Sequence, residues 1–294
     1  MYDVIIIGMG IGGISAGIYA KQANMKMLLF EARMPGGILN NINQIDNYPA
    51  LPEVMGYDFA ANLLKQVTDM GMEYKNEEVD KIEIKDDKKI VYAKSGVYET
   101  KNIIIATGRK PKFLGLENEK DLLGKGVSTC ALCDGNFYKG KDIAVVGGGN
   151  SALQESLYLS KLANKIYLLV RRDTFRGNKK LSDAVLANEK IEVKFNCEID
   201  SIKEENGIVE KVTLNTKEEL EVSGVFIYAG YTPDNKLVQD LGVTNDLGYI
   251  QVDKNYETKI EGLYAVGDII EKDLYQLVTA AAEGAIATTH ITKK

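Results

Sequence analysis

Apolar residues in this chain occur in short, unbroken runs that alternate with longer stretches of helical periodicity. The runs DVIII at 3–7 and NIII at 102–105 have the length and the branched side chains of strands buried on both faces of a parallel sheet. Helical spacing covers 12–22, 56–70 and 276–290, and EIKDDKKIVY at 83–92 predicts a hairpin. This alternation of strands and helices predicts an α/β fold.

The first strand runs into a glycine-rich turn that opens the first helix, with the sequence GMGIGG at 8–13. In dinucleotide-binding units, Gly8 permits the tight turn, Gly10 lets the backbone approach a pyrophosphate, and Gly13 lets the helix pack closely on the strand. Glu31 ends the second strand, where a carboxylate accepts hydrogen bonds from ribose hydroxyls and repels a 2′-phosphate. The turn therefore predicts a site for FAD or NAD.

The same pattern returns after the strand DIAVV, with GGGNSA at 147–152. The strand that follows, KIYLLV, ends in Arg171 and Arg172 instead of an acid, and Arg176 lies just beyond. Guanidinium groups bind phosphate through charge-assisted, often bidentate hydrogen bonds. This second turn predicts NADP, and the two turns together predict two dinucleotides, one of which is a flavin.

Two further stretches indicate how these sites share the chain. In IIIATGRKP at 103–111 the strand ends in Thr107-Gly108, a step typical of a crossing between flavin and nicotinamide domains. GLYAVGDI places Asp268 after a short strand and a glycine. An acid at that place can bind a ribityl or ribose hydroxyl, so Asp268 and the first turn belong to one domain. We predict two Rossmann-like three-layer domains, with an FAD-binding domain over 1–113 and 230–294. A NADPH-binding-like domain over 114–229 is inserted into it, through two crossings that make a hinge.

Composition narrows the possible functions. The 294 residues carry a net charge of −6, which argues against a nucleic-acid binder because phosphate neutralisation requires a basic face. The apolar runs are too short to cross a bilayer, and no leader pattern opens the sequence, so we expect a cytoplasmic protein. His290 is the single histidine, and no metal site is predicted.

Cys130 and Cys133 form a Cys-x-x-Cys pair in STCALCDG at 128–135. A structural zinc site needs four ligands, and the other candidates, Cys197 and His290, stand alone and far away in sequence. Thiol–disulfide exchange is the usual role of such a pair in a cytosolic protein, and two unrelated core thiols are the alternative. Cys197 itself is expected to be a small buried residue near a strand end.

These motifs together resemble the low-molecular-weight bacterial thioredoxin reductases over essentially the whole chain. The resemblance rests on CALCDG, VVGGGNSALQESLYLS, RRDTFR and GLYAVGD, with PGGILNNINQIDNYP as a further match. It implies that NADPH reduces FAD, that FAD reduces the Cys130–Cys133 disulfide, and that the dithiol reduces thioredoxin or a thioredoxin-like protein. It also implies a homodimer. Cys133 would be the thiol on the flavin side, Cys130 the thiol that attacks the partner, and Asp134 the acid–base group, although Asp134 could equally be a turn or cap residue.

The candidate site residues follow from the turns and from the resemblance. Those assigned to FAD are Gly8, Gly10, Ile11, Gly12, Gly13, Glu31, Ala32, Gly36, Gly37, Asn47, Val79, Ala106, Thr107, Gly108, Gly267, Asp268 and Gln276. Those assigned to NADP are Gly147, Gly149, Asn150, Ser151, Arg171, Arg172 and Arg176.

Four positions depart from the usual pattern of these reductases. Val170 stands where many have His, Ile38 replaces Gln, Tyr275 replaces Arg, and Leu132 replaces Thr or Val. The departures leave ferredoxin as an alternative electron donor. An FAD-dependent dithiol oxidase would not need the arginines at 171–176, and a flavin-binding sensor would not need the cysteine pair beside a second nucleotide site.

Overall fold

The computed structural model describes residues 1–42, 44–51, 53–85 and 88–294. The strands are β1 Tyr2–Ile7, β2 Met27–Phe30, β3 Gln44–Ile45, β4 Val54–Met55, β5 Tyr74–Lys75, β6 Val79–Ile84, β7 Lys89–Ala93, β8 Gly96–Ile105, β9 Arg109–Pro111, β10 Val127–Ser128, β11 Asp142–Val146, β12 Lys165–Val170, β13 Ile191–Phe195, β14 Ile199–Glu205, β15 Ile208–Leu214, β16 Glu219–Glu221, β17 Val225–Ile227, β18 Tyr231–Pro233 and β19 Leu263–Ala265. The helices are α1 Ile11–Gln22, α2 Gly56–Asp69, α3 Ala131–Asp134, α4 Asn150–Leu159, α5 Lys179–Leu186 and α6 Leu277–Ile291. Short 3-10 turns cover Gly37–Asn41, Gly135–Tyr138, Lys236–Leu241 and Gly267–Ile269.

The chain divides into two compact units, residues 1–110 with 232–294, and residues 111–231. The predicted boundaries at 113/114 and 229/230 lie a few residues away from these. The predicted helices at 12–22, 56–70 and 276–290 are confirmed to within one residue at each end. The predicted hairpin is confirmed as the antiparallel pair β6–β7, while Asp86 and Asp87 lie outside the described residues.

The first unit is built on a sheet with the parallel order β5-β2-β1-β8-β19, and β8 continues antiparallel into β7 and β6. Alternate residues of the central strands point to opposite faces, because successive side chains of a strand do so. Val4 and Ile6 pack with α1 and α6, whereas Ile5 and Ile7 pack with the β6–β7 hairpin and the 238–270 segment. Both faces are covered, which explains the unbroken apolar runs in the sequence.

Helices α1 and α6 approach each other closely in the first unit. A β-carbon at Gly284 of α6 would overlap the carbonyl oxygen of Gly12 in α1, and the Thr288 hydroxyl donates a hydrogen bond to the Ala16 carbonyl. Only a residue without a side chain permits this contact. The close packing anchors the start of α1, which carries the first dinucleotide turn.

The second unit has the parallel sheet order β10-β17-β11-β12-β13. One face packs on α4 and α5 through residues such as Ile143 and Leu168, and the other packs on the antiparallel meander β14-β15-β16 through residues such as Ala144 and Leu169. The predicted α/β fold class is confirmed, with a Rossmann-like strand–turn–helix–strand arrangement in each unit. Among the described residues, no helix has the length and hydropathy needed to cross a membrane.

Candidate active site

The first dinucleotide turn joins β1 to α1 and depends on its glycines. Gly8 has a φ of +107°, and a β-carbon there would overlap the carbonyl oxygen of Ala106 at the end of β8. A β-carbon at Gly13 would overlap the carbonyl oxygen of Gly8. At Gly10, in contrast, no atom lies within 4 Å of the place that a β-carbon would take. The start of α1 therefore faces open space, where free backbone N–H groups can bind a diphosphate.

Glu31 holds this turn from the end of β2. Its carboxylate accepts hydrogen bonds from the backbone N–H of Met9 at 2.8 Å and of Arg33 at 3.0 Å, and the residue is only 9% exposed. The Gly36 N–H donates to the Met9 carbonyl at 2.8 Å, and Gly37 lies against Gly10. The structure thus brings the predicted residues Glu31, Gly36 and Gly37 to the first turn.

A second group of predicted residues meets at the carboxyl ends of β8 and β19. Gly108 and Gly267 have φ values of +68° and +80°, and neither has an atom within 4 Å of a β-carbon placed there. The Asp268 carboxylate accepts two hydrogen bonds from Arg109, the shorter at 2.6 Å, and lies 3.7 Å from the Lys272 ammonium. Asp268 was expected to bind a ribityl or ribose hydroxyl, and the structure places two cations on it.

Glu283 supports the same corner from α6. This buried carboxylate accepts from the Gly267 N–H at 2.7 Å and pairs with Lys272 at 2.8 Å. Glu283 is not among the residues predicted from the sequence, although a lone acid in the small, apolar run AAAEGA is a recognisable signal for a buried and partnered charge.

The other predicted FAD residues occupy varied surroundings. The Asn47 side-chain amide donates to Gln276 at 2.9 Å, so two predicted residues from distant parts of the sequence are brought together at the start of α6. The Thr107 hydroxyl donates a hydrogen bond to the Asp234 carbonyl oxygen at 2.8 Å. Ile11 and Gly12 are buried in α1, Val79 is buried at the start of β6, and Ala32 is exposed after β2. The open glycines, the buried Glu31 and the two strand ends fit an FAD.

The second dinucleotide turn joins β11 to α4 and has the same backbone pattern. Gly147 has a φ of +140°, and a β-carbon there would lie 2.6 Å from the Tyr228 carbonyl oxygen, while Gly149 has no atom within 4 Å of that place. The Asn150 side chain accepts from the Asn178 N–H at 2.7 Å, and Ser151 is exposed in the first turn of α4. This turn is likewise open to a diphosphate.

The three predicted arginines follow β12 and are exposed. Arg171 lies 3.6 Å from Glu198 in an exposed ion pair, and the Arg176 N–H donates to the Gly148 carbonyl at 2.7 Å. The loop that carries them is thereby attached to the dinucleotide turn. Exposed guanidinium groups at this strand end fit the 2′-phosphate of NADP.

Cys130 and Cys133 form a disulfide across the first turn of α3, with Cα atoms 5.4 Å apart. Cys130 caps the helix, since its sulfur accepts from the Cys133 N–H at 3.2 Å. Cys130 is 9% exposed, whereas Cys133 is exposed. An attack by Cys130 on a partner therefore requires that this side chain become accessible. The remaining thiol, Cys197, is buried beyond β13 as predicted.

Asp134 is linked through the Ser128 hydroxyl to the backbone of the cysteine pair. The Ser128 hydroxyl donates to the Asp134 carboxylate at 2.7 Å, and the same hydroxyl accepts from the Cys130 N–H at 3.0 Å. This network supports the turn-and-cap interpretation of Asp134 and also places its carboxylate beside the pair.

The chain's similarity to known proteins agrees with this geometry. A family model described as pyridine nucleotide-disulphide oxidoreductase matches residues 2–285. The thioredoxin reductase of Bacillus subtilis (strain 168) is 40% identical over 296 residues, which cover 99% of this chain and 94% of that protein. This chain belongs to the thioredoxin reductase family.

Solved structures extend the comparison. A thioredoxin reductase of Lactococcus lactis matches with a TM-score of 0.94 and 36% identity, covering 100% of this chain and 98% of that one. A ferredoxin-flavin thioredoxin reductase of Clostridium acetobutylicum matches with a TM-score of 0.55 and 32% identity, covering 99% and 96%.

The departures from the usual thioredoxin reductase pattern have partial structural explanations. Val170 is buried, and a β-carbon at Gly148 would lie 2.8 Å from its side chain, so Val170 packs beneath the second turn. The Arg109 guanidinium lies 4.2 Å from the centre of the Tyr275 ring, so a cation remains beside the position where Tyr275 replaces Arg. Ile38 and Leu132 are half-buried, and nothing in the structure explains these two replacements.

Sequence reasoning also missed two residues near the cysteine pair of this thioredoxin reductase family member. The Tyr228 hydroxyl accepts a hydrogen bond from the Ala131 N–H at 3.1 Å. Glu155 of α4 is 7% exposed, and burial raises the pKa of its carboxyl to about 7. Within the described part of the chain, no group of three or more His, Cys, Asp and Glu residues is arranged to hold a metal ion.

Proposed function

We propose that this protein is a thioredoxin reductase that passes electrons from NADPH, through FAD and the Cys130–Cys133 disulfide, to thioredoxin or a thioredoxin-like protein. The observation that carries the proposal is the disulfide itself, which lies in the same unit as a dinucleotide turn followed by exposed arginines. A disulfide in this setting can be reduced repeatedly and can then exchange with a disulfide of another protein.

Each cofactor has a defined set of residues to hold it. FAD would be held by the first turn, by Glu31 and by the corner that contains Gly267 and Asp268. NADPH would be held by the second turn, with its 2′-phosphate on Arg171, Arg172 and Arg176. When bound, the two cofactors supply a hydride from nicotinamide and its conversion into an electron pair for the disulfide.

The chain's own residues then carry out the exchange. Two electrons break the sulfur–sulfur bond, and the sulfurs take up protons to the extent that their pKa values dictate. We assign Cys133 to the flavin side, Cys130 to the attack on the partner disulfide, and Asp134 to proton transfer. The contact of Asp134 with Ser128, which in turn binds the Cys130 backbone, supports this assignment.

Phe137 offers a contact for the protein partner. It lies in the 3-10 turn Gly135–Tyr138 that follows α3, and 72% of its surface is exposed. Aromatic residues are enriched where proteins bind each other. We therefore assign Phe137 to the surface that receives thioredoxin, beside the pair that reacts with it.

The decisive experiment is anaerobic. Purified FAD-loaded protein is mixed with NADPH, and the flavin absorbance and the reduction of a bacterial thioredoxin are followed. We expect flavin bleaching and turnover in the wild type. Cys133→Ser should keep FAD and lose turnover, because no disulfide remains to be reduced, and Cys130→Ser should also lose turnover.

Cys197→Ser is the matched control, because this thiol is buried outside the pair. It should retain turnover. Turnover of thioredoxin by both Cys130→Ser and Cys133→Ser would contradict the role proposed for the pair.

Ferredoxin is the second candidate donor. Val170 departs from the usual residue before the arginine pair, and the matching Clostridium acetobutylicum structure is a ferredoxin-flavin thioredoxin reductase. If ferredoxin is the donor, reduced ferredoxin should support thioredoxin reduction, and neither NADPH nor NADH should bleach the flavin. Rapid bleaching by NADPH that is slowed by the double variant Arg171→Ala/Arg172→Ala would decide for NADPH.

A homodimer and a cytoplasmic location complete the proposal. Both rest on the resemblance and on the sequence patterns described above. Light scattering coupled to gel filtration measures the first directly, and a monomer at micromolar concentration would contradict it.

A further inference from the structure

Glu155 is a buried acid without a role in the reaction outlined above. It lies on α4 with 7% of its surface exposed, and its Oε2 atom has no hydrogen-bond partner among the described residues. A buried polar group that lacks a partner destabilises a fold, so its presence needs an explanation. Burial raises the pKa of this carboxyl to about 7, so it changes charge near neutral pH.

The side of α4 that carries Glu155 packs against Gly135, the residue that follows α3 and its cysteine pair. A β-carbon at Gly135, directly after α3, would lie 3.1 Å from Leu159 and 3.5 Å from Tyr158. Residues three and four apart on a helix share one side, so Glu155 lies one turn before these contacts on the side that meets α3. Glu155 therefore lies on the side of α4 that contacts the segment after the cysteine pair, and its charge acts on Tyr228.

Tyr228 connects the two. Its hydroxyl accepts the Ala131 N–H at 3.1 Å, in the first residue of α3, and still has its own proton to donate. Burial, and next the charge of Glu155, raise the pKa of this hydroxyl, while the Ala131 hydrogen bond lowers it. Asp134 and Tyr231 act on it in the same direction as Glu155.

The other charged groups on elements packed around α4 are engaged elsewhere. Asp134 accepts from Ser128 and Asp142 from Asn164, Lys165 pairs with Glu192, and Lys179 pairs with Asp183, while Lys180 is exposed on α5. Among the described charged groups on these elements, no cation pairs with Glu155, so a negative charge on a neighbouring sulfur would favour its protonated form.

We propose that Glu155 is a redox-linked proton-binding residue of the Cys130–Cys133 pair, with Tyr228 as the positioning residue between them. This rests on the proposed function, which supplies the two electrons. Those electrons break the sulfur–sulfur bond, one sulfur takes a proton, the other stays a thiolate, and Glu155 binds the second proton. The thiolate attacks the partner disulfide and forms a mixed disulfide, and the partner's leaving thiolate is protonated as Glu155 releases its proton. The other cysteine then loses its proton, breaks the mixed disulfide and restores the Cys130–Cys133 bond, and its proton goes to the partner's second sulfur.

The test measures the dithiol–disulfide equilibrium of the FAD-loaded protein from pH 5.5 to 9. The protein is equilibrated with dithiothreitol buffers, and Cys130 and Cys133 are alkylated and counted by mass spectrometry. Above about pH 7, the dithiol-to-disulfide ratio of the wild type should fall with pH by an extra factor of ten per unit relative to Glu155→Gln. That factor corresponds to ~30 mV for a two-electron couple. Below pH 7 the two profiles should run parallel.

Two variants make the result specific. Glu189→Gln removes an exposed acid of the same unit and should reproduce the wild-type profile. The proposal would be overturned if the steeper pH dependence above pH 7 were lost in Asp134→Asn and kept in Glu155→Gln. It would also be overturned if the profiles of wild type and Glu155→Gln were parallel at every pH. The readout uses neither NADPH nor thioredoxin, so a failure of the proposed function is seen separately, as a lack of turnover.

Infrared spectroscopy of the wild type provides a second measurement, which can be made even if Glu155→Gln does not fold. In the reduced-minus-oxidised difference spectrum of the wild type at pH 8, a carboxylic-acid band should appear on reduction and should shift when glutamate is labelled with ¹³C. Absence of a glutamate-derived band would overturn the proposal.

Discussion

In the first unit the acid that follows the dinucleotide turn is buried and already hydrogen-bonded, whereas in the second unit the basic residues at the corresponding strand end are exposed. Glu31 is held by two backbone N–H groups, while Arg171 forms an exposed ion pair with Glu198 at 3.6 Å. A surface pair of this kind contributes little and rearranges easily. The first site is organised before its ligand binds, and the second can form its contacts with each ligand that arrives.

The difference suits the two roles that we assign. Pre-organised groups lose little freedom on binding and favour a cofactor that stays in place. Flexible exposed arginines lose side-chain freedom whenever they bind, which lowers the affinity and favours a dinucleotide that must leave after every turnover. The buried carboxylates do not divide in the same way: Glu31 and Glu283 of the first unit and Glu119 of the second accept backbone hydrogen bonds, whereas Glu155 of the second has an unpartnered oxygen.

The strongest test of the comparison exchanges the third small residue of each turn. Gly13→Ala would place a methyl group on the Gly8 carbonyl oxygen, so we expect a loss of about 3 kcal/mol or more and little bound flavin. Ala152→Gly, the reverse change in the second turn, should cost about 1 kcal/mol through helix propensity and leave flavin content unchanged. Thermal melts and the flavin-to-protein absorbance ratio measure both. Normal flavin content in Gly13→Ala would remove the packing argument.

Glu155, the buried acid of the second unit with an unpartnered oxygen, predicts a specific pH dependence of stability. The folded pKa of Glu155 is about 7, above its ordinary 4.5, so between these values the native state keeps a proton that the unfolded chain has released. Stability from this group is complete below pH 4.5 and is lost as the pH rises to about 7. Relative to wild type, Glu155→Gln should gain ~3 kcal/mol in unfolding free energy between pH 4.5 and pH 8.

Urea unfolding of the oxidised protein at both pH values measures this change. Glu189→Gln should show no such change, because that acid is exposed. A constant difference between Glu155→Gln and wild type at the two pH values would mean that Glu155 titrates normally.

Removal of the buried acid of the first unit should weaken flavin binding. Glu31→Ala leaves the Met9 and Arg33 N–H groups without their charged acceptor and removes the proposed ribose contact. Hydrogen bonds to charged groups are worth about 1.5–3 kcal/mol, so we expect a ten- to hundred-fold weaker affinity for FAD. Titration of FAD into the apoprotein measures it. An unchanged affinity would show that the acid only braces the turn.

The exposed arginines should give the smallest effect, and one confined to the second unit. Arg171→Ala/Arg172→Ala should raise KM for NADPH about tenfold and leave KM for NADH and flavin content unchanged, since only the 2′-phosphate contact is lost. Lys179→Ala removes another exposed cation of this unit and serves as the control. A similar rise in KM for both nucleotides would indicate a general electrostatic effect instead.

Features encoded locally could be predicted from the sequence. The helices, the β6–β7 hairpin and both turns follow from periodicity and from glycine spacing within a few residues, and the structure agrees. The ion pair of Arg109 with Asp268 and the contact of Asn47 with Gln276 join residues 159 and 229 positions apart, and no local pattern encodes them. The burial of Glu155 likewise depends on the neighbours that tertiary packing provides, so propensity alone would place this acid at the surface.

The contact between Gly12 and Gly284 sets an order of assembly during synthesis. The strands of the second unit's sheet come from one continuous stretch of chain, so this unit can fold as soon as its residues have been made. The first unit cannot be completed until β19 and α6 have been translated, because β19 pairs with β8 and α6 packs on α1. Closing a loop of that length is slow, so the face of β1 and α1 that α6 later covers stays open to chaperones and proteases until then, although β1 can already pair with β2 and β8. Flavin is therefore expected to enter last, as the ligand that traps the completed unit.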